Sequence, residues 1–383
     1  MVPDGGDLTA NMTAALMGLQ SLVIQDVIEE LSKCYLGNHT TLVCSDEEEH
    51  DPPVTHSMET CSYAKQIAFR FIVPVILASG LLGNILSLIV YKCNYLRKAA
   101  MLTLLAARSY AHIGFILCLT VETVHTLVGS ESSVRIHLWR SRPYTLFLLN
   151  SFMTLALWIT VAITAETYLC FNKPYRFNRF SKKQRDHKII ISCSIFSCLL
   201  HIGLPVMLEV EELSCTDVGC TNTSAPDFRL VVRTGAFYQT YERLHFWVQA
   251  ATVIVIPIAA LIVLCGMITL NLHRHSMKTR FNRQRQCMLR IVIATAFSYW
   301  ILETPSLCVL ISVAIRGSQI EENGSLCLTN VITNLLNISN VVASFLVSFM
   351  FNSTFRSLLL AQLRCPRKPR KVARSLKQLK SPC

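Results

Sequence analysis

The sequence predicts an all-α membrane protein: a seven-transmembrane-helix bundle, N-terminus outside, C-terminus inside, with a short amphipathic juxtamembrane helix. Three observations predict it. The 383 residues are 52% hydrophobic and only 16% charged, with a mean hydropathy of +0.42, whereas soluble domains carry charge on about a quarter of their residues. Seven stretches are long and apolar enough to cross a bilayer, which takes about 20 residues of helix. The basic residues alternate from loop to loop.

The seven spans run approximately Ile67–Tyr91, Ala100–Val124, Tyr144–Cys170, Ile189–Leu208, Phe246–Leu270, Leu289–Val313 and Leu328–Phe351. The third and seventh are less uniformly apolar than the first and fifth. No fixed-period repeat is evident. The chain therefore divides into an N-terminal region, 1–66, a transmembrane domain, 67–351, and a basic tail, 352–383.

Charge sets the orientation. The loops after spans one, three and five and the tail hold 25 of the 36 Lys and Arg residues, while 21 of the 24 acids lie on the side of the N-terminus. Positive loops stay in the cytoplasm. The net charge of +12 thus faces anionic lipid and cytoplasmic partners, and implies no nucleic acid. The start of the chain lacks the basic–apolar–small pattern of a cleavable signal, so span one is expected to serve as signal anchor.

Six of the 16 cysteines fall on the expected outside: Cys34, Cys44, Cys61, Cys215, Cys220 and Cys327. That compartment permits disulfides. Six cysteines allow 15 pairings, among which the sequence does not choose. Cys34–Cys44 and Cys215–Cys220 are the two short ones. The glycosylation signal Asn-x-Ser/Thr falls well outside at Asn11, Asn38 and Asn222, which are plausible acceptors. Asn323 lies near the membrane, Asn337 in a span and Asn352 in the cytoplasm. After span seven, Phe355–Leu363 with Arg356 and Arg364 reads as an amphipathic helix on the inner surface. Cys365 follows as an acylation candidate.

Span one holds Gly83-Asn84. Span three ends in Ala165-Glu166-Thr167-Tyr168, with Pro174 six residues after Tyr168. Span five carries Pro257 and span six Pro305, and Phe355-Arg356 follows span seven. In this order and spacing these residues resemble the rhodopsin-like G-protein-coupled receptors. Phe196-Ser197 through Leu204-Pro205 to Glu209, together with Asn337-x-Ser339-Asn340, is most similar to invertebrate, nematode-type receptors for FMRFamide-like neuropeptides. The resemblance covers Ile67–Arg364. It implies a plasma-membrane, multi-pass receptor for an extracellular peptide or small-molecule ligand, working through a heterotrimeric G protein.

The chain also departs from that family. Its helix-two aspartate is replaced, Leu105-Ala106-Ala107-Arg108 leading to Ser109. The arginine of the helix-three motif is Thr167, and the helix-six tryptophan is Glu303. The helix-seven Asn-Pro-x-x-Tyr motif aligns with Ser344-Phe345-Leu346-Val347-Ser348. The helix-three cysteine expected near Arg142 is absent, so the usual disulfide to the second outer loop has no anchor there.

The candidate residues follow from position and chemistry. Glu303 lies inside a span, where a carboxylate costs about 2.5–3.5 kcal/mol and should face the bundle. It serves either as counter-charge to a cationic ligand group, or as a structural group hydrogen-bonded in the bundle or paired with a base such as Arg108. Tyr238, Tyr241 and Trp247 line a cavity mouth or form an interfacial belt. Glu166, Thr167 and Tyr168 stand at the coupling end, where Glu166 is free to meet a Lys or Arg of the second inner loop. The resemblance implies that Asn84, Ser109, Pro257, Pro305, Ser344 and Ser348 occupy positions tied to conformational change, and the two prolines should kink their helices. The acids of the N-terminal region and second outer loop would steer a basic ligand.

No enzyme motif is present: there is no His-Glu-x-x-His, no Gly-x-Ser-x-Gly and no phosphate-binding glycine loop. His112, His201 and His245 are isolated in sequence. No cofactor or metal is implied. A chemosensory receptor for a small molecule is the nearest rival to a peptide receptor. A receptor-like protein that does not signal and a transporter are further alternatives.

Overall fold

The computed structural model describes residues 63–92, 102–127, 133–172, 182–213, 227–276, 283–316, 324–351 and 353–364. Seven helices are long and apolar enough to span a membrane. In chain order, α1 is Tyr63–Tyr91, α2 Leu102–Leu127, α3 Ser133–Asn172 and α4 Lys182–His201. A single helical turn, Leu204–Met207, leads into an antiparallel hairpin of β1 (Leu208–Leu213) and β2 (Asp227–Val232), in register with Leu208 opposite Val232. Helix α5 runs from Ala236–Gln249 through a π turn, Ala250–Val255, into Ile256–Ser276. Then come α6 (Arg283–Arg316), α7 (Gly324–Phe351) and α8 (Ser353–Arg364). The described helices belong to one compact unit, Ser57–Cys383. One end of the bundle carries the hairpin and the other carries α8; they are called here the hairpin end and the tail end.

The helices form where apolar runs leave the backbone no partner but itself. Proline shapes two of them. A π turn at Ala68–Ile72 immediately precedes the Val73-Pro74 step, and the one at Ala250–Val255 precedes Ile256-Pro257. Proline has no N–H to give and its ring crowds the carbonyl four residues back, so the preceding turn widens. Pro143 and Pro305 instead lie inside continuous helices.

Two helices extend beyond their apolar stretches. Helix α3 begins at Ser133, not near Tyr144, because its polar first turns are neutralised: Arg142 Nε donates to Glu122 Oε2 at 3.3 Å, and its guanidinium lies 4.8 Å from the Trp139 ring. Helix α5 begins ten residues before Phe246 because its first turns are amphipathic, burying Glu242 and His245 while Arg243 and Leu244 face out. The hairpin was not foreseen, although Leu-Glu-Val-Glu-Glu-Leu and Asp-Phe-Arg-Leu-Val-Val carry strand-forming residues. The Trp139 ring meets Phe228 of β2 at 6.1 Å, so α3 holds the hairpin at the place where the expected cysteine is missing.

The apolar core sits between α1, α2 and α7, where Val73, Leu77, Phe115, Ile116, Leu119, Ile338 and Val341 pack together. Because lipid is as apolar as these side chains, association depends on close approach rather than on escape from water. Gly83 provides it: a Cβ there would stand 2.7 Å from the Phe345 ring. At the tail end Leu104, Ile159, Ile163 and Val292 close the bundle with a second apolar layer. Helix α8 buries Phe355, Leu358 and Leu359 against Val90 of α1.

Candidate functional site

Polar groups run through the middle of the bundle. Asn84 of α1 donates through Nδ2 to the Gly80 carbonyl at 2.8 Å and to the Val341 carbonyl of α7 at 3.3 Å. Its Oδ1 lies 3.3 Å from His112 Nδ1. An amide oxygen only accepts, so Nδ1 carries the proton. His112 Nε2 is then the acceptor, and the Tyr299 hydroxyl, 3.4 Å away, donates to it. This relay joins α1, α2, α6 and α7. His112 and Tyr299 are among the most deeply buried side chains of the molecule.

Glu303 stands one turn along α6 from Tyr299 and is buried. Its Oε1 accepts from Asn340 Nδ2 at 2.7 Å. The Asn337 amide, oriented so that its nitrogen faces acceptors, donates to Oε2 at 3.2 Å and to the Leu302 carbonyl at 2.9 Å. Ser306 Oγ donates to the Glu303 carbonyl at 2.6 Å, across Pro305. The carboxylate therefore fastens α6 to α7. Asn340 Oδ1 is sealed and has no hydrogen-bond donor. Buried acceptors thus converge here: a carboxylate and an unmatched amide oxygen. Arg108 is not its counter-charge; the hydrogen bonds to the carboxylate come from α7.

The tail end is built differently. Glu166 Oε1 accepts from Arg185 Nε at 2.8 Å, tying α3 to the start of α4. Arg185 belongs to the second of the basic loops read from the sequence. Thr167, buried, turns its hydroxyl back onto the Ile163 carbonyl at 2.7 Å. Tyr168 is partly buried. Ser344 and Ser348, both buried, donate within α7 to the carbonyls of Asn340 and Ser344 at 3.3 and 3.0 Å. Ser109 is buried on α2.

At the hairpin end the aromatic residues separate. Tyr241 stacks on Phe237 at 6.3 Å and on His245 at 6.3 Å. Tyr238 meets the edge of Phe237 at 5.5 Å. Trp247 is 47% exposed on the surface of α5. Gly203 admits the Tyr241 hydroxyl where any side chain would collide with it. Among the described residues no hydrogen bond joins these rings to Glu303. His201 and His245, far apart in sequence, meet with ring centroids 5.8 Å apart, and His201 Nε2 lies 2.9 Å from Thr154 Oγ1.

Cys327 is disulfide-bonded. Its candidate partners Cys34, Cys44, Cys61, Cys215 and Cys220, the glycosylation positions Asn11, Asn38 and Asn222, and Cys365 lie outside the described residues. Tyr299, His112 and Asn340 were missed as site residues. The one signal in the sequence was a polar residue at each of these positions inside an otherwise apolar span.

Compared with protein-family models the chain matches none, and a search of curated proteins returns no match.

Proposed function

We propose that the chain is a receptor of the plasma membrane, N-terminus outside, that binds an extracellular ligand and conveys its presence to a cytoplasmic partner. The ligand class is a peptide with a cationic group. One observation carries the reading: Glu303 and the unmatched Asn340 Oδ1 are buried acceptors side by side, on two helices of which one carries Pro305 within it. A guanidinium or ammonium group offers the donor that Asn340 Oδ1 lacks and the opposite charge that the amides bonded to Glu303 do not supply. By drawing on Glu303 it would weaken the bonds to Asn337 and Asn340 and bias α6 against α7; a ligand shifts such an equilibrium only through different contacts in the two states.

The rest of the molecule fits this reading. Acidic residues dominate the expected outer face, which would raise the encounter rate of a basic peptide. Rhodopsin-like receptors share the order of Asn84, Glu166, Pro257 and Pro305. A heterotrimeric G protein would meet a tail end where the cation at the α3–α4 joint is Arg185, held by Glu166, because Thr167 supplies none.

The test is a signalling assay on surface-expressed chain, screened with basic amidated peptides and with small odorants. A peptide response that falls at least tenfold in potency with Glu303→Gln, at matched surface expression, is the expected result. A response to odorants alone, indifferent to Glu303→Gln, would replace the peptide with a small apolar ligand and sink the role given to Glu303.

A further inference from the structure

Among the described residues, Arg108 is the one buried side chain whose charge cannot be removed by a proton, since a guanidinium stays ionised in proteins. It sits about 9 Å from the tail-end start of α2, at 1.5 Å rise per residue, and only 4% of it is exposed. It therefore does not reach out to the lipid surface. Among the described residues it makes no hydrogen bond and no ion pair. The other buried charges account for themselves. Glu122 pairs with Arg142, Glu166 with Arg185, and Glu303 takes its bonds from α7. The two remaining buried acids, Asp186 and Glu242, also have partners. Among the described residues no carboxylate lies within ion-pair distance of Arg108.

An isolated ion taken out of water carries a heavy desolvation cost, which only an opposite charge or several good hydrogen bonds offset. The guanidinium nitrogens are not among the sealed, unpartnered atoms of the bundle, which include Trp158 Nε1, His201 Nδ1 and His245 Nε2. They border space that a water-sized group can enter. Arg108 stands four residues before His112 on α2, one turn away on the same face, so the group lies beside the polar relay that His112 makes with Tyr299. One turn toward the tail end, Leu104 packs with Ile159, Ile163 and Val292 and closes that side with an apolar layer. A cytoplasmic segment cannot reach Arg108 without breaking the layer; a monatomic ion needs no such path.

We propose that Arg108 is the seat of a bound small inorganic anion, chloride under physiological conditions, held inside the bundle beside His112 and Tyr299. The anion supplies the counter-charge the chain omits, and it ties α2 to the relay that joins α1, α6 and α7. Neither a ligand nor signalling is needed for this binding, so it stands apart from the receptor reading.

The test is thermal unfolding of the purified full chain in chloride against gluconate at equal ionic strength. The folded state gains stability from any ion it binds and the unfolded chain does not. Chloride and bromide should raise the Tm by about 2–4 °C in a saturable way. Arg108→Met, similar in size and apolar, should give the same Tm in both salts. Equal Tm values for the wild-type chain in the two salts would overturn the site, as would a rise in Arg108→Met equal to that of the wild type. Should Arg108→Met not fold, Arg108→Lys keeps the charge but not the planar fork. Its chloride midpoint should move to higher concentration, and an unmoved midpoint would likewise overturn the site.

Discussion

The two sides of the bundle are held by different means. In the most apolar stretch of α2, α3 and α7, 44% of residues are buried; in α4 and α5 only 22% are. The first group meets α1 through Gly80 and Gly83 and is cross-linked by Asn84, His112 and Tyr299. The second presents Ile191, Ile195, Leu199, Val255, Ile262 and Val263 outward. Its polar and aromatic ties to the rest run mainly from α4 to α3, through Trp158 and Phe196, Thr154 and His201, Ser151 and Ser197, and Glu166 and Arg185, while His201 meets His245 within the pair. Solvent aversion cannot explain the contrast, because lipid would accept either surface. Small residues and interhelical hydrogen bonds can. The well-packed side is a frame, and α4 and α5 lean on it.

Substitutions can break that contrast or sharpen it. The largest effect belongs to Gly83→Val, whose added carbons would collide with Phe345. Overpacking of this kind costs about 1–3 kcal/mol, and thermal unfolding of the purified chain should show the loss. Next comes Asn84→Ala, which removes the α1–α7 and α1–α2 bonds together. An interhelical hydrogen bond in lipid is worth about 0.6 kcal/mol on average; with two bonds lost and His112 left unmatched, the drop should be about 1–2 kcal/mol by the cost of a stranded polar group. Arg185→Ala should matter less, about 1 kcal/mol or under, because the arginine is part-exposed and its pair is screened; a double-mutant cycle with Glu166→Gln isolates the term. On the leaning side, Trp247→Ala should fall within about 0.5 kcal/mol of wild type. An effect for Trp247→Ala as large as that of Asn84→Ala would mean that α5 belongs to the frame.

Much of this architecture was legible in the sequence. The seven spans follow from apolar length alone, and Arg185 as partner of Glu166 lay within reach of a basic loop beside a motif acid. The helix ends were less legible. Hydropathy stops at charge, yet Arg142 continues α3 because Glu122 and Trp139 take up its charge. Glu242 and His245 likewise continue α5 on a buried face. The pairing of Glu303 with Asn337 and Asn340 joins separate helices, and nothing local to either helix encodes it. His201 and His245 looked isolated for the same reason. Span membership is a property of one segment, whereas a site in a bundle is a property of how segments rotate against one another.

The joint between α3 and the hairpin has one further consequence. Trp139 against Phe228, with Arg142 over the Trp139 ring and fastened to Glu122 of α2, does the work that a covalent link would do if a cysteine stood at Arg142. A bond between sulfurs opens only by exchange with a thiol. A tilted ring contact and a part-exposed ion pair release on the timescale of loop motion, nanoseconds to microseconds, and close again without any chemical event. At this joint, opening answers to temperature and salt, and reductant has no hold on it.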